Sequence, residues 1–304
     1  MINGILPLWK ERGMTSHDCV FKVRKILKMK KVGHTGTLDP GVDGVLPICL
    51  GNATRLAEYI TDAGKTYEAI ISIGRSTTTE DAEGDVVDEN LAAKRFTRED
   101  LQAVFEKLTG TITQTPPMYS AVKVNGRKLY EYARAGETVE RPSRQVNIYG
   151  IELLSEEDVF EGEEVTFSVR IHCGKGTYIR TLAVQMGELL GYPAHMARLT
   201  RVMSGSYERA QCVTLAELQV LADEARLDEA IRPLETALVD FPQEEVTAKN
   251  MKQIKNGMPL PMHPKLAEHD KIVFTEQQKA VAVYVKHPTK DGVMKPEKMF
   301  PNID

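Results

Sequence analysis

The sequence predicts an α+β protein in two parts: a large mixed domain, then a small, mostly β domain at the C-terminal end. Three observations carry this. The 304 residues exceed one small core and suit two domains of roughly 100–200 residues each. Segments of alternating apolar and polar residues interleave with segments at helical spacing. From about residue 240 the pattern shifts to short apolar runs such as "DKIVFT" and "KAVAVYVKH". The expected boundary therefore divides 1–240 from 241–304.

Taken in order, Thr15 or Ser16 suits the N-cap of a helix that begins near His17, with Asp18 at its positive end. Val20, Val23, Ile26 and Leu27 share one face of it, and Lys22, Arg24, Lys25, Lys28 and Lys31 fall opposite. The expected stop is Gly33. "GVLPICLG" reads as a buried strand, "NATRLAEYITDA" as a helix, and "KTYEAIISIG" (65–74) as a strand rich in β-branched and aromatic residues. "RSTTTEDAEGDVV" reads as a polar loop. "TREDLQAVFEKLTG" (97–110) opens on a good cap, Thr97, and closes on glycine. An insertion at about 112–145 holds adjacent prolines, an Asn-Gly turn and many basic and aromatic side chains. "RQVNIYGIELL" and "EEVTFSVRIHC" alternate as strands, and "GKGTYIRTLAVQMGELLG" becomes a helix ending at Gly191.

Hydrophobic residues make up 42% and charged residues 27%, as in a soluble globular chain. No apolar run nears the ~20 residues that span a bilayer, and the N-terminus does not read as a secretion signal. Cys19, Cys49, Cys173 and Cys212 form no C-x-x-C pair, which suits a reducing cytoplasm and no structural zinc. Net charge is −4, yet "FKVRKILKMKK" carries Lys22, Arg24, Lys25, Lys28, Lys30 and Lys31 without one acid. Local field, not total charge, steers a phosphate backbone. A solvated amphipathic helix fits the same run.

Directly behind it stands "KKVGHTGTLDPGVDG" (30–44), a glycine-rich loop with a lone histidine and two aspartates. Pro40 biases Asp39 toward extended geometry, and Gly36 and Gly41 permit positive φ or close backbone approach. A plain surface turn has the same features. The ATP-type phosphate loop, the G-x-S-x-G elbow and metal-ligand spacing are all missing. A lone carboxylate acting as nucleophile or base remains. It would want an arginine to keep it charged and an apolar, aromatic wall for a flat substrate.

"GHTGTLDPGVDGVLPICLGNATRL" resembles the catalytic motif of the TruB family of tRNA pseudouridine synthases. "GMTSHDCVFKVRKIL", "KTYEAIISIGRSTTTEDAEGDVV", "PPMYSAVKVNGRKLYEYARAGETVERPSRQVNI" and "VRIHCGKGTYIRTLAVQMGELLGYPAHMARLTRV" resemble the family's other blocks, in order. The resemblance implies the pseudouridine synthase fold, a mixed and mainly antiparallel central sheet flanked by helices, followed by a PUA-like RNA-binding domain. It implies isomerisation of uridine-55 in the tRNA T loop. Asp39 would attack the nucleoside or draw off its proton, Tyr67 would stack on the base and serve in proton transfer, and Arg180 would pair with Asp39. Leu199 would belong to the apolar wall, and His34 would enter the RNA where the uridine has left. Lys10, Gly33, Thr35, Gly36 and Tyr178 would also contact substrate.

The implied partner is tRNA, held at the T arm and, through the C-terminal domain, at the acceptor stem. No cofactor, metal, membrane or obligatory protein partner is implied. Two departures stand out. The family's opening D-K-P-x-G-x-T-S reads "LPLWKERGMTS" here, with Trp9 and Glu11 around Lys10. Asp43 stands where threonine is usual and is expected to face solvent, since a second carboxylate would disturb Asp39. A guide-RNA-dependent synthase of the dyskerin type and a non-catalytic tRNA-binding or folding factor are the rival expectations. The long insertion speaks against the first, and the joint presence of Asp39, Tyr67 and Arg180 against the second.

Overall fold

The structure is a computed structural model describing residues 2–248 and 250–300. A nine-stranded sheet forms the frame. Its main path runs Gly4–Lys10, Asp43–Leu50, Ala194–Ser204, Lys65–Ile73, Val165–Cys173, Arg144–Leu153, Gly110–Gln114. Along that path every pairing is antiparallel except one, where Thr200 and Arg201 run parallel to Asp43 and Gly44. The sheet is therefore mixed and mainly antiparallel, as expected.

Period-2 patterning explains the strands. In Val165–Cys173 the residues Val165, Phe167, Val169, Ile171 and Cys173 point into the core and the residues between them point out. Asp43–Leu50 is apolar almost throughout because both its faces are covered. Leu46, Ile48 and Leu50 join the cluster under helix Ser16–Leu27, while Val45 and Cys49 face a second one with Ile60 and Tyr207. Helices Arg98–Leu108 and Ile179–Leu190 cover the other half of the sheet. Thr97 caps the first through a reciprocal box with Asp100.

Several expectations are corrected. Thr15, boxed with Asp18, caps the first helix, which ends at Leu27 with Lys28 in the left-handed region, not at Gly33. Residues 32–34 are instead a short strand beside Asp43–Leu50. "NATRLAEYITDA" splits into a 3₁₀ turn, Gly51–Leu56, and a short helix, Ala57–Asp62. The supposed polar loop contains a hairpin of Arg75–Thr77 and Val86–Glu89. The insertion folds into a two-residue hairpin around Asn125 and Gly126, then helix Leu129–Ala135.

Beyond residue 240 a separate five-stranded sheet is built from Gln243–Glu245, Lys271–Glu276, Lys279–Lys286, Val293–Met299 and Leu260–Pro261. Val273, Val283 and Phe300 pack with Leu56, Tyr59 and Leu238 of the large part. No helix among the described residues is long and apolar enough to cross a membrane.

Candidate functional site

The parallel pairing in the sheet's centre builds the site. It sets Thr200 and Arg201 beside Asp43 and Gly44, and the antiparallel register on the other side sets Arg201 opposite Tyr67 and Leu199 opposite Ala69. One strand thereby carries the 35–42 loop to Tyr67. Gly44 permits the approach: its φ is +135°, and a Cβ there would lie 2.3 Å from the Arg201 carbonyl oxygen.

A cavity of about 330 Å³ opens at this junction, lined by Asp39, Tyr67, Tyr178, Arg180 and Leu199. The Arg180 guanidinium lies 3.0 Å from the Asp39 carboxylate. Arg180 also donates to the carbonyls of Thr79 and Tyr119, both at 3.0 Å, and approaches Asp81 at 3.9 Å. It thus joins the aspartate loop, the 75–89 hairpin and the insertion. Tyr67 is buried. Burial pushes its hydroxyl upward, and the Arg201 charge beside it pulls the other way. Arg144 stacks over the Tyr178 ring at 4.9 Å, and Gln114 grips the Tyr178 backbone from both sides.

Buried contacts hold the aspartate loop. Ser16 Oγ accepts from Leu38 N–H at 2.8 Å and donates to the Leu38 carbonyl. Lys10, expected to touch substrate, is fully enclosed and donates to the carbonyls of Val42, Pro40 and Glu11. Burial lowers its ammonium below the ordinary range. That expectation is corrected: Lys10 supports the loop from inside. Thr35 is equally enclosed, with its N–H and hydroxyl both on the Pro47 carbonyl. Gly36 lines the cavity, whereas Gly33 and His34 lie outside its wall on the 32–34 strand. Burial lowers His34, whose Nδ1 has no hydrogen-bond partner among the described residues.

Asp43 does not face solvent, contrary to expectation. Its side chain is 19% exposed, receives a hydrogen bond from Thr200 at 2.7 Å and pairs with Arg12 at 3.2 Å. Two donors from neighbouring elements satisfy it, and it stays outside the cavity wall.

Sequence reading passed over Asp81, Lys65 and Arg201. The last two had a signal: Lys65 stands two residues before Tyr67 and Arg201 two after Leu199, so each shares its neighbour's face of the sheet. Asp81 had none, because only the folded hairpin brings it to Arg180.

Comparison with known proteins identifies the family. Residues 24–179 match the family model described as TruB family pseudouridylate synthase (N terminal domain). Residues 180–239 match the tRNA pseudouridylate synthase B C-terminal domain. The chain is 54% identical over 301 residues to "tRNA pseudouridine synthase B" of Geobacillus thermodenitrificans, covering 98% of this chain and 100% of that protein. The Listeria innocua protein of the same name is also 54% identical, at 98% coverage of each. Among solved structures, one titled "Crystal Structure of a Cbf5-Nop10-Gar1 Complex" superposes with a TM-score of 0.71 at 28% identity, covering 97% of this chain and 84% of that one. Matching family models across more than half the sequence, with full-length relatives above half identity, place this chain in the TruB family of pseudouridylate synthases.

Proposed function

We propose that the chain isomerises uridine to pseudouridine in tRNA, at position 55 of the T loop, with Asp39 as the reacting carboxylate. The carrying observation is the convergence of Asp39, Arg180, Tyr67 and Leu199 on one cavity. A uridine inside a folded loop must be everted to reach a protein carboxylate, at a cost of a few kcal/mol. Stacking on an aromatic ring, worth roughly 1–3 kcal/mol per base, offsets that cost. Arg180 aims and holds the carboxylate. Whether Asp39 bonds to the nucleoside or removes a proton, one ionised acid beside a stacked base suffices. The isomerisation is redox-neutral and calls for neither metal nor nucleotide.

His34, at the end of the 32–34 strand, fills the space the base vacates. The basic face of helix Ser16–Leu27 and the basic side chains of the insertion meet the RNA backbone, and Gly36 and Tyr178 contact the flipped nucleotide. Residues 241–304 act as a PUA-like module on the acceptor stem, leaving 1–240 as the catalytic domain. Four unpaired thiols suit the cytoplasm. Relatives named for tRNA at 54% identity favour this reading over a guide-dependent one.

The test is mass mapping of pseudouridine in a T-arm transcript without guide RNA. Conversion by the wild type and none by Asp39→Asn supports the proposal. An inert wild type sinks it.

A further inference from the structure

The cavity wall contains a second charged pair that the reaction described so far leaves idle. Lys65 and Arg201 are 6% and 1% exposed, and both line the cavity. Among the described residues neither belongs to an ion pair, and the wall's one carboxylate, Asp39, is held by Arg180. Asp62, near Lys65, is paired with Lys175 at 2.8 Å.

Enclosing two neighbouring cations without an acid is unfavourable, through desolvation and through mutual repulsion. Carbonyls soften this without neutralising it. Lys65 donates to Thr61, Ala63 and Ile60, and Arg201 to Val45 and Gly36. Gly36 packs against both cations at the cavity wall, and Arg201 also bonds the Tyr67 hydroxyl. The φ of Gly36 is +115°, and a Cβ there would lie 3.5 Å from Arg201 Nη1 and 3.6 Å from Lys65 Cε.

A neutral base stacked on Tyr67 has no use for such a field. The detached base does. When the C1′–N1 bond breaks, both electrons stay on the pyrimidine, giving an anion spread over N1 and the ring carbonyl oxygens. The sugar's deficit is met by a bond to Asp39 or by loss of a proton to it. The negative charge persists until C5 spends its electron pair on the bond to C1′, as Asp39 leaves the sugar or returns its proton to it; the C5 proton is then lost and N1 takes one up. We infer that Lys65 and Arg201 form a cationic floor that stabilises the detached uracil as an anion and retains it while it turns from N1 to C5. The inference rests on the isomerase reading above. A preorganised field aimed at developing charge lowers the barrier more than it tightens ground-state binding.

The experiment compares glycosyl-bond cleavage under single turnover in T-arm RNAs bearing uridine or 5-fluorouridine at the target. Fluorine stabilises the pyrimidine anion by itself. Lys65→Met is expected to lose about 30-fold on uridine, the size of one through-space charge at an effective protein dielectric. The loss shrinks severalfold on 5-fluorouridine, RNA affinity holds, and Lys65→Arg recovers rate. Equal losses on both substrates, or none on either, would show that Lys65 only ties down the end of helix Ala57–Asp62, and would overturn the inference alone. A wild type inactive on uridine overturns the isomerase reading as well.

Should Lys65→Met fail to fold, the wild-type pH profile decides. Lys65 titrates at about 8, facing Arg201, Cys173, Asp62 and Lys175. The wild-type rate then falls above about 8 while that of Lys65→Arg holds. Parallel profiles would overturn the inference.

Discussion

The carboxylate of Asp39 and the guanidinium of Arg180 meet at 3.0 Å, although one side chain is 46% exposed and the other 6%. Arg180 is anchored on two carbonyls from different segments, so it acts as the fixed post and Asp39 as the group that reaches out. Asp39→Asn keeps the shape and removes the charge. Turnover should fall at least about 10³-fold, the scale for a reacting group, while RNA affinity by filter binding stays within a few fold. A mild loss would remove Asp39 from the chemistry.

Arg180→Met leaves the Thr79 and Tyr119 carbonyls without their donor as well as Asp39 without its cation. Two effects are expected together: loss of turnover, and faster proteolysis within the 112–145 insertion. Loss of turnover with unchanged proteolysis would confine Arg180 to the carboxylate.

Ser16 positions the residue before Asp39 through both backbone groups of Leu38. Ser16→Ala should cost about 1–2 kcal/mol of stability for the groups left unpaired. Because misplacement by about 1 Å costs on the order of 10²-fold, turnover should fall by about 10- to 100-fold with RNA affinity kept. Denaturant midpoints beside single-turnover rates would read this. A stability loss with full turnover would show that Pro40 and Lys10 suffice to hold the loop.

Asp43 teaches a similar lesson with the opposite weight. Asn in its place still accepts from Thr200 and Arg12, so Asp43→Asn should leave turnover nearly intact and lower stability by at most about 1 kcal/mol. Asp43→Ala strands both donors and should be more destabilising. A large turnover loss in Asp43→Asn would mean that its charge, not its hydrogen bonds, matters to Asp39.

Most of the architecture was legible because it follows from short-range rules. β-branched and aromatic composition named the strand at 65–73, alternation those at 144–153 and 165–173, and the capping boxes at Thr15 and Thr97 follow from side-chain chemistry within one turn. The site was legible to the extent that its motifs were. What stayed hidden depends on contacts between distant segments. Asp43 reads as a loop acid until Thr200 and Arg12 arrive beside it. Lys10 reads as a ligand until three carbonyls enclose it. Asp81 reads as solvated until a hairpin turns it toward Arg180.

The basic helix gives a test of the RNA reading that needs no catalysis. Lys22 and Lys25 are exposed, whereas Arg24 is tied to the Val32 carbonyl and Lys31 to Asn52. Lys22→Ala and Lys25→Ala should each weaken binding at low salt and reduce the slope of log affinity against log salt by about 1. An unchanged slope would leave this helix as a solvated face.

Lys65 makes a prediction whose two halves have opposite sign. Its ordinary value is 10.5 and burial lowers it to about 8 in the folded chain. Below about 8 both states hold the proton and the burial penalty is fully present. Between about 8 and 10.5 the unfolded chain binds more protons than the folded one, so this group adds stability as pH rises. Across that window the wild type should gain stability relative to Lys65→Met, read from denaturant midpoints. Over the same window its rate on uridine should fall, because the floor of the cavity loses a charge. A relative stability flat with pH would mean that the folded chain leaves Lys65 protonated, and the alkaline loss of rate would then have to come from another group.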